Sequence, residues 1–340
     1  MASKKWLVLA LSMVLAMSLV AMPGCAAKEE APVETPATEA AAPMFDASQA
    51  MIDAAAEYFN GEPVPTISAD DLYTIVQSKD PGYQIVSVRS PEDYAKGHIE
   101  GAINIPFKAI GAEENLAKLD PNKKIVVVCY TGHTASETNM FYNMLGYDAV
   151  TLKFGMSGWT KDAAIYALGD FPSGKAAGYP TVTTMTESAG GFDLPTVSAD
   201  YADARAAIIG QADAYFASEL PFTITAEDVY NLVQSKDPGY QILSVRGAED
   251  YAKGHIDGAI NVPWVKIADP TMLAKLDPNK KVIVYCYTGH TGGEVAMFLN
   301  LMGYEAINMK FGMSAWNSDA AVGGNAGYDP AAVKGYPTVK

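Results

Sequence analysis

The sequence predicts an α/β fold built twice: two tandem domains, each a mainly parallel β-sheet flanked by helices. Three observations carry this. The chain repeats itself without a gap at an offset of 157 residues, so that Cys129–Thr134 (CYTGHT) returns as Cys286–Thr291, and Gly178–Val182 (GYPTV) as Gly335–Val339. A repeat this long is a duplicated domain, not a solenoid unit. The continuous β-branched run Ile125–Val128 suits a strand buried on both faces, as in a parallel sheet. Such runs alternate with helical stretches.

Each unit opens on a helical stretch, Ala47–Asn60 in the first and roughly Ala204–Ala217 in the second. Ser68 three residues before Asp71, and Thr225 before Asp228, then start a capped helix with Leu72, Ile75 and Val76 on one face. Asp80-Pro-Gly82 turns the chain into a strand over 85–88. Ser90 and Pro91 begin another helix, which Gly97 ends. A short strand is expected over 102–105. After the buried strand ending at Val128 comes the Cys loop, and then Thr134-Ala-Ser-Glu137 and Thr291-Gly-Gly-Glu294 read as capping boxes. The helix that follows turns Met140, Phe141, Met144 and Leu145 inward, and Gly146 is its expected left-handed terminator. A strand over 149–153 and the segment 154–159, leading to a final helix, complete the unit.

The N-terminus is a targeting segment. Lys4 and Lys5 precede an apolar run from Trp6 to Met22, closed by Gly24-Cys25. The ends of this run resemble a bacterial lipoprotein signal, in which the Cys is lipidated; the alternative is an uncleaved membrane anchor, for which the run is at the short end of a span. Residues 26–44, rich in Ala, Pro, Glu and Thr, cannot build a core and read as a tether. The expected organisation is therefore signal 1–24, tether 25–44, domain 45–187, linker 188–200 and domain 201–340, exported and anchored to the cell envelope by lipid at Cys25. A net charge of −15 excludes an extended nucleic-acid footprint, so any anion site must be local. Three cysteines are too few for a framework of structural disulfides.

Two of those cysteines are repeat partners, Cys129 and Cys286, and each follows a buried strand and precedes a helix N-terminus. Unpaired N–H groups and the helix dipole favour an anion there. Gly132 and Gly289 let the loop turn further amides inward. That is a setting for a nucleophilic thiolate, or for a sulfur anion carried on it. His133 and His290 are the only candidate cations in the loops, and Tyr130 and Tyr287 are candidates to line the entrance. Two soft ligands per loop are too few for a metal site, and no cofactor is expected. Arg89 and Arg246 end strands beside Glu92 and Glu249. They are candidates to pair with those carboxylates and to support the pocket. His98 and His255 follow a glycine in a helix-ending turn, and Trp159 and Trp316 read as core.

At this point the chain resembles the tandem rhodaneses, a family of sulfurtransferases. The resemblance rests on Ser87-Val-Arg89, Glu92-Asp-Tyr94, Gly97-His-Ile99, Gly101-Ala-Ile-Asn104, Cys129–Thr134 and Phe154-Gly-Met-Ser-Gly-Trp159, with their partners 157 residues on. It implies that Cys129 and Cys286 take sulfur from a donor such as thiosulfate as a persulfide. Residues Tyr130, Thr131, Gly132, His133 and Thr134, and Tyr287, Thr288, Gly289, His290 and Thr291, would cradle that sulfur. A thiol, cyanide or an acceptor protein would then remove it. Two departures stand out: Ser87 and Ser244 replace the family's usual Asp, and no Arg or Lys follows the Cys in either loop. A Cys phosphatase or arsenate reductase would need Cys-x5-Arg to clamp an oxyanion, and Ala135 and Gly292 hold that position. A persulfide carrier uses the same loop, and turnover with free thiophiles distinguishes it.

Overall fold

Two sheets, each of five strands with every pairing parallel, form the frame of the computed structural model. It describes residues 45–166, 175–197, 200–324 and 327–340. The expected signal segment, Cys25 and the tether lie outside these residues. Among the described residues no helix is long and apolar enough to cross a membrane.

In the first repeat the elements run α1 (Ala47–Asn60), β1 (Thr66–Ile67), α2 (Ala69–Ser78), β2 (Tyr83–Ser87), α3 (Pro91–Lys96), β3 (Ile103–Asn104), α4 (Glu113–Leu116), β4 (Lys124–Val128), α5 (His133–Met144), β5 (Asp148–Leu152) and α6 (Gly155–Trp159). The second repeats them as α7 (Ala204–Ala217), β6 (Thr223–Ile224), α8 (Ala226–Ser235), β7 (Tyr240–Ser244), α9 (Ala248–Lys253), β8 (Ala259–Asn261), α10 (Pro270–Leu273), β9 (Lys281–Tyr285), α11 (His290–Leu301), β10 (Ala306–Met309) and α12 (Gly312–Trp316). The sheet orders are β1-β5-β4-β2-β3 and β6-β10-β9-β7-β8. Ser68 and Thr225 cap α2 and α8 as expected, each accepting from the N–H of the Asp three residues on. The segment 154–159 does not lead into a helix; from Gly155 it is the helix.

Alternation along the central strands decides where the cysteines go. Side chains of a strand point alternately to its two faces. Val86, Val88, Ile125, Val127 and Cys129 share one core, whereas Ile85, Val126, Val128 and Trp159 face another. Leu243, Val245, Val282, Val284 and Cys286 of the second sheet join the first of these cores. One hydrophobic core therefore lies between the two sheets, and both cysteines point to it.

Helices α5 and α11 fill that space, which explains a burial pattern that amphipathic logic does not give. Met140, Phe141 and Met144 are buried as expected, but so are Ser136, Glu137, Thr138 and Asn139 on the polar side. That side faces the other domain, where α5 packs against α11. The opening helices cross over too. Phe59 of α1 meets the rings of Trp264 and Phe298 at 5.8 and 6.5 Å, and Phe216 of α7 meets Phe107 at 5.1 Å. Burying a ring of this size stabilises by about 1.5–3 kcal/mol.

The tails are exchanged as well. After the first domain, the N–H groups of Ala177 and Tyr179 donate to Ala315 O and Trp316 O at 2.8 and 2.9 Å, and Val182 pairs antiparallel with His255. After the second, Tyr336 N–H donates to Trp159 O at 2.8 Å, and Val339 pairs with His98. Each buried Trp donates its indole N–H to a proline carbonyl of the visiting tail, Trp316 to Pro180 and Trp159 to Pro337. The tail of residues 45–187 is thus held by the second domain, and that of 201–340 by the first.

Candidate active site

Each loop is built around one left-handed glycine. Gly132 (φ +91°) and Gly289 (φ +87°) are the N-caps of α5 and α11, so each helix starts directly after the turn. Their N–H groups donate to Cys129 Sγ and Cys286 Sγ, both at 3.0 Å. This corrects the capping boxes expected at Thr134 and Thr291. The helices begin earlier, without a side-chain cap, and the end of the helix stays free to face sulfur. Glu137 instead accepts from Tyr215 OH at 2.8 Å, and Glu294 from Tyr58 OH at 3.2 Å and Asn139 Nδ2 at 2.6 Å, all across the domain boundary. Burial pushes both carboxyls up to about 8.

The far side of each loop is held by the short helix after the last strand. Met156 N–H donates to Cys129 O and Ser157 N–H to Tyr130 O, both at 2.9 Å; Met313 and Ser314 repeat this on Cys286 and Tyr287. Gly155 is required at that contact, since a Cβ there would lie 2.4 Å from Cys129 O. This gives the Phe-Gly-Met-Ser motif its physical meaning, which the sequence alone did not show.

Tyr130 and Tyr287 are half-buried and pinned. Their hydroxyls donate to Asp93 at 2.6 Å and Asp250 at 2.7 Å and accept from Ser90 N–H and Gly247 N–H. Burial first, then Asp250, pushes the Tyr287 phenol up to about 12. Arg89 lies over the Tyr130 ring and Arg246 over Tyr287, each 5.9 Å from the centroid. The arginines do not use Glu92 and Glu249, as their sequence neighbourhood suggested. Arg89 donates to the carbonyls of Asp93, Gly97 and Ile165, and Arg246 to those of Asp250, Gly254 and Val322. Fully buried, each guanidinium finds backbone oxygens rather than an exposed carboxylate. Ser87 Oγ accepts from Arg89 Nε at 3.4 Å, whereas Ser244 Oγ and Arg246 Nε have no partner among the described residues.

His133 and His290 overturn their reading as loop cations. Both are buried. Burial, with Lys310 adding to it, pushes His133 down to about 3; burial, then His133 and Lys153, holds His290 well below its usual value. The bonding agrees with neutral rings. Phe311 N–H donates to His133 Nε2, and Phe154 N–H to His290 Nε2, both at 3.0 Å. An accepting Nε2 leaves the proton on Nδ1, which faces Thr131 Oγ1 or Thr288 Oγ1 at 2.8 Å. The two imidazole centroids are 6.1 Å apart. His98 and His255 are structural, bonded through Nδ1 to the carbonyls of Tyr94 and Tyr251.

The sequence was compared with known proteins. The rhodanese-like domain model matches residues 68–162 and 225–319. Protein HIGH ARSENIC CONTENT 1 of Arabidopsis thaliana is 30% identical over 26% of this chain, which spans 59% of that relative. Thiosulfate sulfurtransferase PspE of Escherichia coli is 34% identical over 21% of this chain and 68% of its own length. Thiosulfate sulfurtransferase GlpE of Pseudomonas paraeruginosa is 31% identical over 24% and 74%. Among solved structures, a rhodanese-like domain protein of Staphylococcus aureus is 30% identical, covers 29% of this chain and 94% of its own, and has a TM-score of 0.27.

Proposed function

The chain belongs to the rhodanese family, and we propose that it is a sulfurtransferase with two active sites, at Cys129 and Cys286. The observation that carries this reading is the pair of sulfurs, each at a strand end and each accepting a glycine N–H at a helix N-terminus. In that setting the thiolate attacks the outer sulfur of a sulfane donor. With thiosulfate, the donor's S–S bond breaks, sulfite leaves with its electron pair, and a Cys persulfide remains, its charge facing the helix end. A thiophile such as cyanide or a thiol then attacks the outer sulfur, and the Cys thiolate leaves. No proton need be supplied by the loop, which is consistent with neutral imidazoles there. With no basic side chain after either Cys, recognition of an anionic donor falls to backbone amides and the helix dipole.

From the two lysines and the apolar run ahead of Cys25 we also propose that the chain is exported with lipid at Cys25, and that a sulfur-acceptor protein is among its partners; radiolabelled fatty acid incorporated in wild type and absent from Cys25→Ser tests the anchor. The enzymatic reading is tested with thiosulfate and cyanide on wild type, Cys129→Ser, Cys286→Ser and the double variant, with intact masses after donor exposure. Partial loss in each single variant, complete loss in the double and one added sulfur per remaining Cys are expected. Full activity in the double variant sinks the assignment. Stable loading without turnover replaces it with a carrier.

A further inference from the structure

We propose that His133 and His290 act in trans, each as a positioning residue for the cysteine loop of the opposite domain. The inference rests on the reading of Cys129 and Cys286 as the sulfur-bearing residues. It starts from what His133 touches. Its Nε2 accepts the N–H of Phe311 at 3.0 Å, and its ring stands edge-on to the Phe311 ring at 4.7 Å. Phe311 is itself left-handed (φ +59°) and caps α12, whose next N–H groups hold Cys286 O and Tyr287 O. The same Nε2–Cδ2 edge lies against Gly289, where a Cβ would come within 2.6 Å of it. Gly289 is the residue whose N–H holds Cys286 Sγ. His133 therefore braces the second loop at the amide that holds the sulfur and at the helix that holds the Cys carbonyl. His290 does the same to Gly132 and Phe154.

Within its own loop His133 reaches only Thr131, through Nδ1. The ring is thus a strut between loops, with its proton on one side and its lone pair on the other. Without it the Phe311 N–H loses this buried acceptor, and the loop would relax in response. A shift of a few tenths of an ångström in the amide facing a developing sulfur anion is felt in rate.

The test uses the full chain carrying Cys129→Ser, so that only the second site reports. His133→Met fills the space but accepts nothing, while His133→Gln supplies an amide oxygen near the Nε2 position. Two rates are measured: kcat/KM for thiosulfate and cyanide, and alkylation of Cys286 by iodoacetamide, located by peptide mapping. His133→Met is expected to change both by about tenfold or more, and His133→Gln to restore most of the loss. Cys286 rates within about twofold of the parent in His133→Met overturn the proposal. So do equally poor Met and Gln variants that melt at the parent's temperature. Should His133→Met not fold, His133→Asn, whose oxygen stops short of the Phe311 amide, takes its place. A Cys129→Ser parent that takes no sulfur from thiosulfate argues against the proposed function, and the alkylation rates still decide the positioning role.

Discussion

The two loops solve one problem in different ways. In the first, the carbonyl of Gly132 accepts the Ser136 hydroxyl from α5 at 2.8 Å. In the second, Gly293 stands where Ser136 would be, and the carbonyl of Gly289 accepts Asn308 Nδ2 from β10 at 2.8 Å. The first domain has Thr151 at the position of Asn308. A Cβ on Gly292 would lie 2.6 Å from Asn308 Oδ1, and one on Gly293 3.0 Å from His133 O, 3.1 Å from Ser136 Cβ and 3.2 Å from Asn308 Nδ2. What the duplication kept is the satisfied carbonyl and the left-handed glycine, not the side chain that serves them. The carboxylates differ in the same manner. Glu294 has both Tyr58 and Asn139, whereas Glu137 has Tyr215 alone, because Ala296 replaces Asn139.

Breaking the shared feature should have the largest effect. Gly289→Ala in the Cys129→Ser chain combines a left-handed alanine with a Cβ pressed on His133, and should cost more than about 2 kcal/mol and most of the remaining turnover. Gly146→Ala, at φ +85° with open space around it, isolates the backbone share of about 1–2 kcal/mol. Chemical denaturation of the two variants gives the difference, and equal costs would remove the steric argument.

The compensation comes next. Asn308→Ala removes one of the two donors to the Gly289 carbonyl, leaving the Gly293 N–H at 3.1 Å, and should cost about 0.5–1.5 kcal/mol. The double change Gly293→Ser with Asn308→Thr, which rebuilds the first domain's arrangement, should cost less than its two single changes summed. Additive costs in a double-mutant cycle would show that the two arrangements are not interchangeable.

Glu294→Gln should be the mildest at neutral pH, since a neutral carboxyl is replaced by a neutral amide. The sign follows from a folded value of about 8 against an ordinary 4.5. The wild-type carboxyl favours folding fully below about pH 4.5, and that contribution is lost as pH rises to about 8. The variant's melting temperature should therefore gain on wild type across that interval. A constant difference would mean that Glu294 is ionised in the native protein.

The duplication, the parallel sheets, the α2 and α8 caps and the Cys loops were legible because each is written locally, in periodicity and spacing. The misreadings share the opposite property. Thr134 and Glu137 have the spacing of a capping box, but Glu137 bonds Tyr215, 78 residues away. His133 looked like a loop cation until burial against the second domain made it a neutral acceptor. Arg89 sits near Glu92 in sequence, yet reaches Ile165 O in space. The burial of Ser136 to Asn139 was not foreseen, because no local pattern announces that another copy of the same helix will cover them. One signal was available: Glu137 and Glu294 are carboxyl side chains kept at matching places in the two repeats.

The exchanged tails set a timetable for synthesis. Residues 336–339, which supply the strand partner of His98 and the carbonyl that receives the Trp159 indole, leave the ribosome after the rest of the second domain. The first domain can collapse early but is not finished until then. Proteolytic cleavage before Tyr336 would accordingly injure the half that was made first.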